Sequence, residues 1–357
     1  MLEGIKIVDF SRYYPGPFGT ARLRDMGAEV IKVEDVNGGD MMRMTDRVDG
    51  EEGAMFRFLN WGKKSVCRNL KDPDDAAAVM NLLAGADVVV EGFRPGIAKR
   101  LGIDYESVQK LNPKVVYVSI SGYGQNSYLS RLGGHDPNYT AMSGLLDQLL
   151  DRDGRPIKAR VALADFTSGI VACECILAGL LEVQREGRGR YFDLSMTEAV
   201  MSLMGGHIAW QSMHGDEHPF DMPCICNSIY ETSDGRYMTI AAAESKFFNN
   251  FCDAMQREDL KAHQMAPDRE DDPYYREMVE IFKGHNFEEW SKFAVEVDCC
   301  MAPVLHVSEL AAARHVTERG MVEKHWGMNV LKTYYGEPFR TDGKKPYPKL
   351  GENNEEY

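Results

Sequence analysis

Short apolar runs separated by amphipathic stretches fill the first half of the chain. Ile5-Lys6-Ile7-Val8-Asp9-Phe10, Glu29-Val30-Ile31-Lys32-Val33, Asp87-Val88-Val89-Val90-Glu91 and Val115-Val116-Tyr117-Val118-Ser119-Ile120 are brief and rich in β-branched residues. Such runs predict buried strands. Helical patterns lie between them, over 17–26 with Gly27 as the stop and over 73–83 with Pro73 at the start. A further strand, 191–194, follows Gly187-Arg188-Gly189-Arg190. Buried strands alternating with helices imply an α/β fold, a Rossmann-like parallel sheet covered on both faces. Ligands of such sheets collect at the carboxyl ends of the strands. The turn after the first strand, Ser11-Arg12-Tyr13-Tyr14-Pro15-Gly16-Pro17, has no Gly-x-Gly-x-x-Gly, which argues against a dinucleotide site.

Two longer apolar helices are predicted over 166–185 and 197–213. The second carries Met201, Met204 and Met213, with Met196 and Met222 flanking it. Methionine adapts its shape, so this set suits a pocket for varied apolar chains as well as ordinary core filling. The pattern changes near Ser228. Residues 230–240 read as a hairpin turning at Asp234-Gly235. Helices follow near Glu244 and Pro273, with a polar loop over 268–272. The expected division is a large α/β domain over 1–215, completed by 325–357, and a small α+β domain over 225–315. The polar tail from 344 is expected to wrap over the surface.

Composition narrows the function classes. A chain of 357 residues exceeds one small core. A net charge of −14 argues against nucleic acid and anionic membrane surfaces as partners. Between Arg57 and Lys114, however, ten Lys and Arg face seven Asp and Glu, a local basic surplus where an anionic ligand could bind. No uninterrupted apolar stretch reads as long enough to cross a bilayer. The start, Met1-Leu2-Glu3-Gly4, lacks the regions of a signal peptide, so the expected location is cytoplasmic. The eight cysteines include no Cys-x-x-Cys pair, which points to reduced thiols rather than a metal site.

Candidate chemistry lies in Gly133-Gly134-His135-Asp136-Pro137-Asn138-Tyr139 and in Ala164-Asp165-Phe166. A histidine ahead of an Asp-Pro helix start can stay neutral near pH 7 and accept a proton. Asp136-Pro137 reads as an N-cap and N1 pair, and Asp165 reads as opening the next helix. One imidazole and one carboxylate could serve opposite faces of a carbon acid. Spacing alone leaves a structural role open for each.

These landmarks, in order, resemble the family III (CaiB/BaiF-like) CoA-transferase superfamily, and within it the α-methylacyl-CoA racemases. The resemblance runs from Gly4-Ile5-Lys6-Ile7-Val8-Asp9 and Pro15-Gly16-Pro17-Phe18 through 25–34, Glu91-Gly92-Phe93-Arg94-Pro95-Gly96 and Ser121-Gly122-Tyr123-Gly124. It continues over the Gly-His-Asp motif and Ala164-Asp165-Phe166 to Ala302-Pro303-Val304 and Leu350-Gly351-Glu352. The resemblance implies an interlocked homodimer acting on an acyl-CoA, with no metal or redox cofactor. Its catalytic residues would be His135, Asp165 and Glu244, the last facing His135 across subunits. CoA would lie near Tyr13, Tyr14, Lys71, Gly92, Phe93, Arg94 and Arg100, with Asp136 and Tyr139 beside the thioester. Arg68 stands where relatives are often apolar.

The related transferases use the aspartate matching Asp165 as a nucleophile. They generally lack the histidine, and several carry a glycine-rich loop where this chain has Ala241-Ala242-Ala243-Glu244-Ser245-Lys246-Phe247. The expected activity is therefore inversion of a 2-methyl-branched acyl-CoA. Asp165 and the His135–Glu244 pair would exchange the α-proton, and helix amides after Asp165 would steady the enolate. CoA transfer between an acyl-CoA and a carboxylic acid is the alternative.

Overall fold

The computed structural model describes residues 1–47, 50–215, 222–325, 327–332 and 347–357. The chain forms two compact units, Met1–Glu217 with Met321–Tyr357, and His218–Gly320.

The first unit is built on a six-stranded parallel sheet, β1 (Lys6–Asp9), β2 (Glu29–Glu34), β3 (Lys64–Cys67), β4 (Val88–Glu91), β5 (Val116–Ser121) and β6 (Arg190–Ser195). The strand order is β3-β2-β1-β4-β5-β6. The chain works outward from β1 and then returns to β4 on the opposite side, so the order reverses between β1 and β4. That reversal opens a crevice at the carboxyl ends of the two strands. Alternate residues serve the two faces, as the period of a strand requires. Ile7, Val30, Val88 and Val118 pack under α1 (Pro15–Asp25) and, after α2 (Ala54–Asn60), α3 (Pro73–Ala84), α4 (Ile97–Leu101), α5 (Tyr105–Leu111) and α6 (Asp136–Met142), under α7 (Leu163–Glu186). Val8, Ile31, Val89 and Tyr117 pack against Val79 and Leu83 of α3 and Val108 of α5.

Two glycines set the approach of α1 to α7. A Cβ on Gly19 would lie 2.8 Å from the Gly169 carbonyl oxygen, and one on Gly169 would lie 2.7 Å from that of Pro15. Only hydrogen fits on both, so the start of α7 is drawn against the start of α1. The edge strand β3 escaped the sequence reading, because its run is short and half polar. Its outer edge is covered by the chain's last residues. The Asn353 side-chain oxygen accepts the Ser65 amide at 3.0 Å and that of Asn354 accepts the Cys67 amide at 2.7 Å. The Asn353 amide donates back to the Ser65 carbonyl at 2.9 Å. The tail thus satisfies an edge that would otherwise present unpaired groups. The first residues of the tail expected from 344 lie outside the described residues.

Two sequence expectations about helices need correction. The helix expected over 197–213 is two, α8 (Met196–Met201) and α9 (Gly205–His214), joined by a 3-10 turn. The break falls at the 3-10 turn Ser202–Met204, just ahead of Gly205-Gly206, two residues of low helix propensity that open α9. Its methionines part company: Met204 is core, Met213 is 78% exposed, and Met196 alone of the set lines the cleft described below. Second, α7 is long and apolar enough to cross a membrane by length and composition alone. Its Ala172, Cys173 and Ile176 are buried in the sheet's core, which accounts for one of its faces within this unit.

The second unit has an antiparallel sheet, with β8 (Tyr237–Ala241) between β7 (Asn227–Glu231) and β9 (Met301–Pro303). The Asp234-Gly235 turn joins β7 to β8, with Gly235 at φ 77° as the sequence predicted. Three amphipathic helices, α10 (Ser245–Ala254), α11 (Pro273–Lys283) and α12 (Phe287–Glu296), cover one face. Phe282 is the hub, stacked at 4.5 Å on Tyr230 and 4.7 Å on Trp290. The first unit also holds an antiparallel strand pair, β10 (Val322–His325) with β11 (Met328–Leu331). All eight cysteines are free thiols.

Candidate active site

The turn after β1 is held from below by buried charge, and Gly16 lets it close against Ser11, where a Cβ would come within 2.0 Å of the Ser11 hydroxyl oxygen. The Lys32 ammonium donates to the Ser11 carbonyl at 2.7 Å and pairs with Asp40 at 3.0 Å. Lys63 donates to the Pro17 carbonyl at 3.0 Å and pairs with Asp9 at 3.2 Å. Burial pushes Lys63 down to about 7 despite Asp9. Burial also opposes ionisation of Asp9, but Lys63 and Lys32 outweigh it and hold its carboxyl below the usual range. Above this network Tyr13 adopts φ 64°, and its amide donates to Asp40 Oδ1 at 3.3 Å. A non-glycine residue in the left-handed region is strained and persists only where its surroundings fix it. The lysines and Asp40 do that here.

The loop after β4 faces this turn. The Phe93 amide donates to buried Glu91 at 2.7 Å, which sets the direction of Gly92-Phe93-Arg94. Burial raises the Glu91 carboxyl to about 7. The Arg94 guanidinium lies 3.0 Å from where a Gly133 Cβ would stand. Two other glycines make room for one ring: Cβ atoms on Gly122 and Gly134 would come within 2.5 and 2.7 Å of Tyr139. The Tyr139 hydroxyl donates to the Gly134 carbonyl at 2.6 Å. Ring and glycines together fix the Gly-Gly-His-Asp segment above the end of β5. Burial pushes the Tyr139 phenol up to about 12.

The Gly-His-Asp motif is offset by one residue from the expectation. His135, not Asp136, is the N-cap of α6, and the Asn138 side chain accepts its amide at 3.0 Å. Asp136 turns to the next element instead. Its Oδ1 accepts the amides of Ala164 at 2.6 Å and Asp165 at 3.2 Å, supplying the cap that Ala162 lacks at the start of α7. Asp165 therefore lies inside the first turn rather than capping it. The expected amide donors to an enolate are also committed: beyond those two, the Phe166 amide bonds to the Ala162 carbonyl at 3.1 Å. Asp136 has an electrostatic effect as well. Burial first, and the Asp136 charge second, raise the Asp165 carboxyl to about 7.

These elements enclose a cleft of about 620 Å³ at the carboxyl ends of β1, β4 and β5. Tyr13, Tyr14, Gly92, Phe93, Arg94, His135, Tyr139 and Asp165 all line it. It shares Arg12, Phe93 and Arg94 with a second cavity of about 380 Å³, which also holds Lys71 and Arg100. The acids of that second cavity are largely paired, Glu34 with Arg43 at 2.6 Å and Asp40 with Lys32 at 3.0 Å. The cleft therefore runs from a site with an imidazole and a carboxylate to one dominated by cations.

Sequence reasoning missed Arg12 as a cavity residue, and marked Arg68 only as a departure from its relatives near the CoA site. Arg12 follows directly on β1, a position that the topology alone marks. Arg68 follows β3, which the sequence did not reveal. Its guanidinium donates to the carbonyls of Asn354 and Tyr357, both at 2.8 Å, while lining the second cavity. Glu244 belongs to the second unit. It is the N-cap residue of α10, exposed, and its carboxylate makes no capping bond there. Among the described residues no cluster of His, Cys, Asp and Glu suits a metal ion.

The sequence model of the family described as CoA-transferase family III matches residues 2–354. The chain is 31% identical to the mouse succinyl-CoA:glutarate CoA-transferase, over 99% of this chain and 84% of that protein. It is also 31% identical to the human α-methylacyl-CoA racemase, over 89% of this chain and 81% of that protein. A crystal structure of a CAIB/BAIF family protein from Brucella suis superposes with a TM-score of 0.84 at 25% identity, covering 99% of this chain and 97% of that one. A crevice at the strand-order reversal, a cationic arm and a half-buried carboxyl at its head fit this kinship, and the chain belongs to CoA-transferase family III, an enzyme superfamily whose members include both CoA-transferases and acyl-CoA racemases.

Proposed function

We propose that the protein inverts the α-carbon of a 2-methyl-branched acyl-CoA by removing and returning its α-proton. The observation that carries this reading is the Asp165 carboxyl, raised to about 7 in the cleft that His135 also lines. A group that must take a proton in one direction and give it in the other works best with a pKa near the working pH. A thioester acidifies its α-hydrogen because the resulting enolate spreads charge onto the carbonyl oxygen. Asp165 removes the proton of one enantiomer. The His135 imidazolium returns a proton to the opposite face, and the roles reverse for the other enantiomer. Glu244 orients the imidazole, in an interlocked homodimer that brings it from the other subunit. Arg94, Arg100 and Lys71 suit the phosphates of CoA. Asp136 acts behind Asp165, holding the helix start and raising the carboxyl's affinity for its proton. No metal or redox group takes part.

The second reading is transfer of CoA between an acyl-CoA and a carboxylic acid with Asp165 as nucleophile. Transferases as similar to the chain as the racemases favour it. One experiment separates the two. A single enantiomer of a 2-methylacyl-CoA is incubated in deuterium oxide without any acid acceptor. The racemase reading expects deuterium at the α-carbon and formation of the other enantiomer. No α-exchange, with CoA moving to an added carboxylate, would replace it with the second reading.

A further inference from the structure

The second unit holds a buried polar side chain that bonds to the residues on both sides of Glu244. Gln264 is 9% exposed. Its amide nitrogen donates to the carbonyls of Ala242 at 3.0 Å and Ala243 at 2.8 Å. Its oxygen accepts the Ser245 hydroxyl at 2.9 Å. One amide thus grips the chain immediately before and immediately after Glu244. The surroundings make this grip decisive. Upstream, the Ala242 amide is tied to the Cys226 carbonyl at 2.7 Å. Downstream, Phe248 and Phe251 bury the inner face of α10. Glu244 itself joins the two with extended backbone, φ −77° and ψ 132°, and its exposed carboxylate has no cap bond to hold it. The direction of that carboxylate is therefore set by the backbone beneath it. Nothing but Gln264 bonds to both flanks of that residue with one side chain among the described hydrogen bonds.

We propose that Gln264 is a positioning residue: it clamps residues 242–245 so that the Glu244 carboxylate is presented in one direction. This rests on the reading of Glu244 as the partner of His135. A glutamine is the side chain suited to the task. Its two N–H groups match two adjacent carbonyls while its oxygen takes a hydroxyl. A leucine of similar size would leave the buried Ala242 carbonyl without that partner, and a glutamate would set oxygen against oxygen. Misplacing a catalytic group by an ångström costs up to about a hundredfold in rate while leaving remote binding contacts alone.

The test is a double-mutant cycle on the full-length protein, read by α-deuterium exchange into a 2-methylacyl-CoA. Q264L is expected to lower kcat about ten- to a hundredfold with KM changed less than about threefold. E244Q is expected to lose at least as much, and Q264L/E244Q to be no slower than E244Q, because the clamp acts only through the group it holds. S245A, which removes one exposed partner of the clamp, is expected to lose a few-fold in kcat, and to lose nothing further in the E244Q background. Circular dichroism and melting confirm that each variant is folded. Wild-type turnover in folded Q264L, or losses that multiply in the double variant, overturns the proposal while leaving Glu244 its role. If E244Q turns over normally, the reading of Glu244 falls and the proposal falls with it. Should Q264L fail to fold, S245A decides, and an unchanged kcat in S245A counts against the clamp.

Discussion

Asp165 and Asp136 stand 29 positions apart in the chain and are joined by one hydrogen bond, from the Asp165 amide to Asp136 Oδ1. That bond makes Asp136 both a helix cap and a charge beside a half-buried carboxyl. Two predictions belong to this scale. Asp136→Asn keeps an oxygen for the α7 amides but removes the charge. The apparent pKa of Asp165, read from the acid limb of kcat/KM in the direction where it is the base, is expected to fall from about 7. It should fall only part of the way, because burial is the larger cause. An unchanged limb would show that Asp136 does not tune the carboxyl. The second prediction concerns stability. A carboxyl whose folded pKa lies above its unfolded value stabilises the fold when protonated, and this contribution disappears as pH rises through the folded value. With Asp165 raised from 3.8 to about 7, the melting temperature of Asp165→Asn relative to wild type is expected to climb between pH 5 and pH 8. A flat difference would contradict the raised pKa. Neither effect was legible in the sequence. Asp-Pro at a helix start reads as a local cap, and only the tertiary fold shows that the carboxylate caps a different helix.

At the scale of elements, the sheet was readable where strands are buried on both faces, as in β1, β2, β4 and β5. Their Val- and Ile-rich runs carry no other plausible structure. The edge strand β3, Lys64–Cys67, was not readable, since half of it faces polar partners and its pairing on one side is with the tail rather than another strand. The same logic makes the tail testable. Asn353→Ala combined with Asn354→Ala removes the acceptors of the Ser65 and Cys67 amides and is expected to cost about 1–3 kcal/mol in denaturant unfolding. Loss below about 0.5 kcal/mol would mean that water replaces the asparagines freely. The α1–α7 contact is a second element-scale device. Gly169→Ala forces a Cβ to within 2.7 Å of the Pro15 carbonyl, so α7 must shift or the turn before α1 must yield. The expected outcome is destabilisation of about 1–3 kcal/mol together with a fall in kcat, since Asp165 rides on the displaced helix.

For the molecule as a whole, a chain of net charge −14 places Arg12, Arg68, Lys71, Arg94 and Arg100 around one arm of one cleft. Arg94 stands where both cavities meet. Arg94→Ala is expected to raise the KM for an acyl-CoA about tenfold and to flatten the dependence of KM on salt, because a screened charge has been removed. The charge surplus over 57–114 pointed to this arm. The convergence of residues from three strand ends could not be read from spacing and follows only from the strand order. The central claim is that two groups serve opposite faces of one carbon. Its most direct measurement is α-hydrogen exchange in deuterium oxide for each enantiomer separately, in Asp165→Asn and His135→Ala. Racemisation is expected to fall by about two to four orders of magnitude in both. Each variant is expected to retain measurable exchange of one enantiomer, and the two variants to retain opposite ones. Loss of exchange for the same enantiomer in both, or wild-type racemisation in either, would contradict the two-faced mechanism.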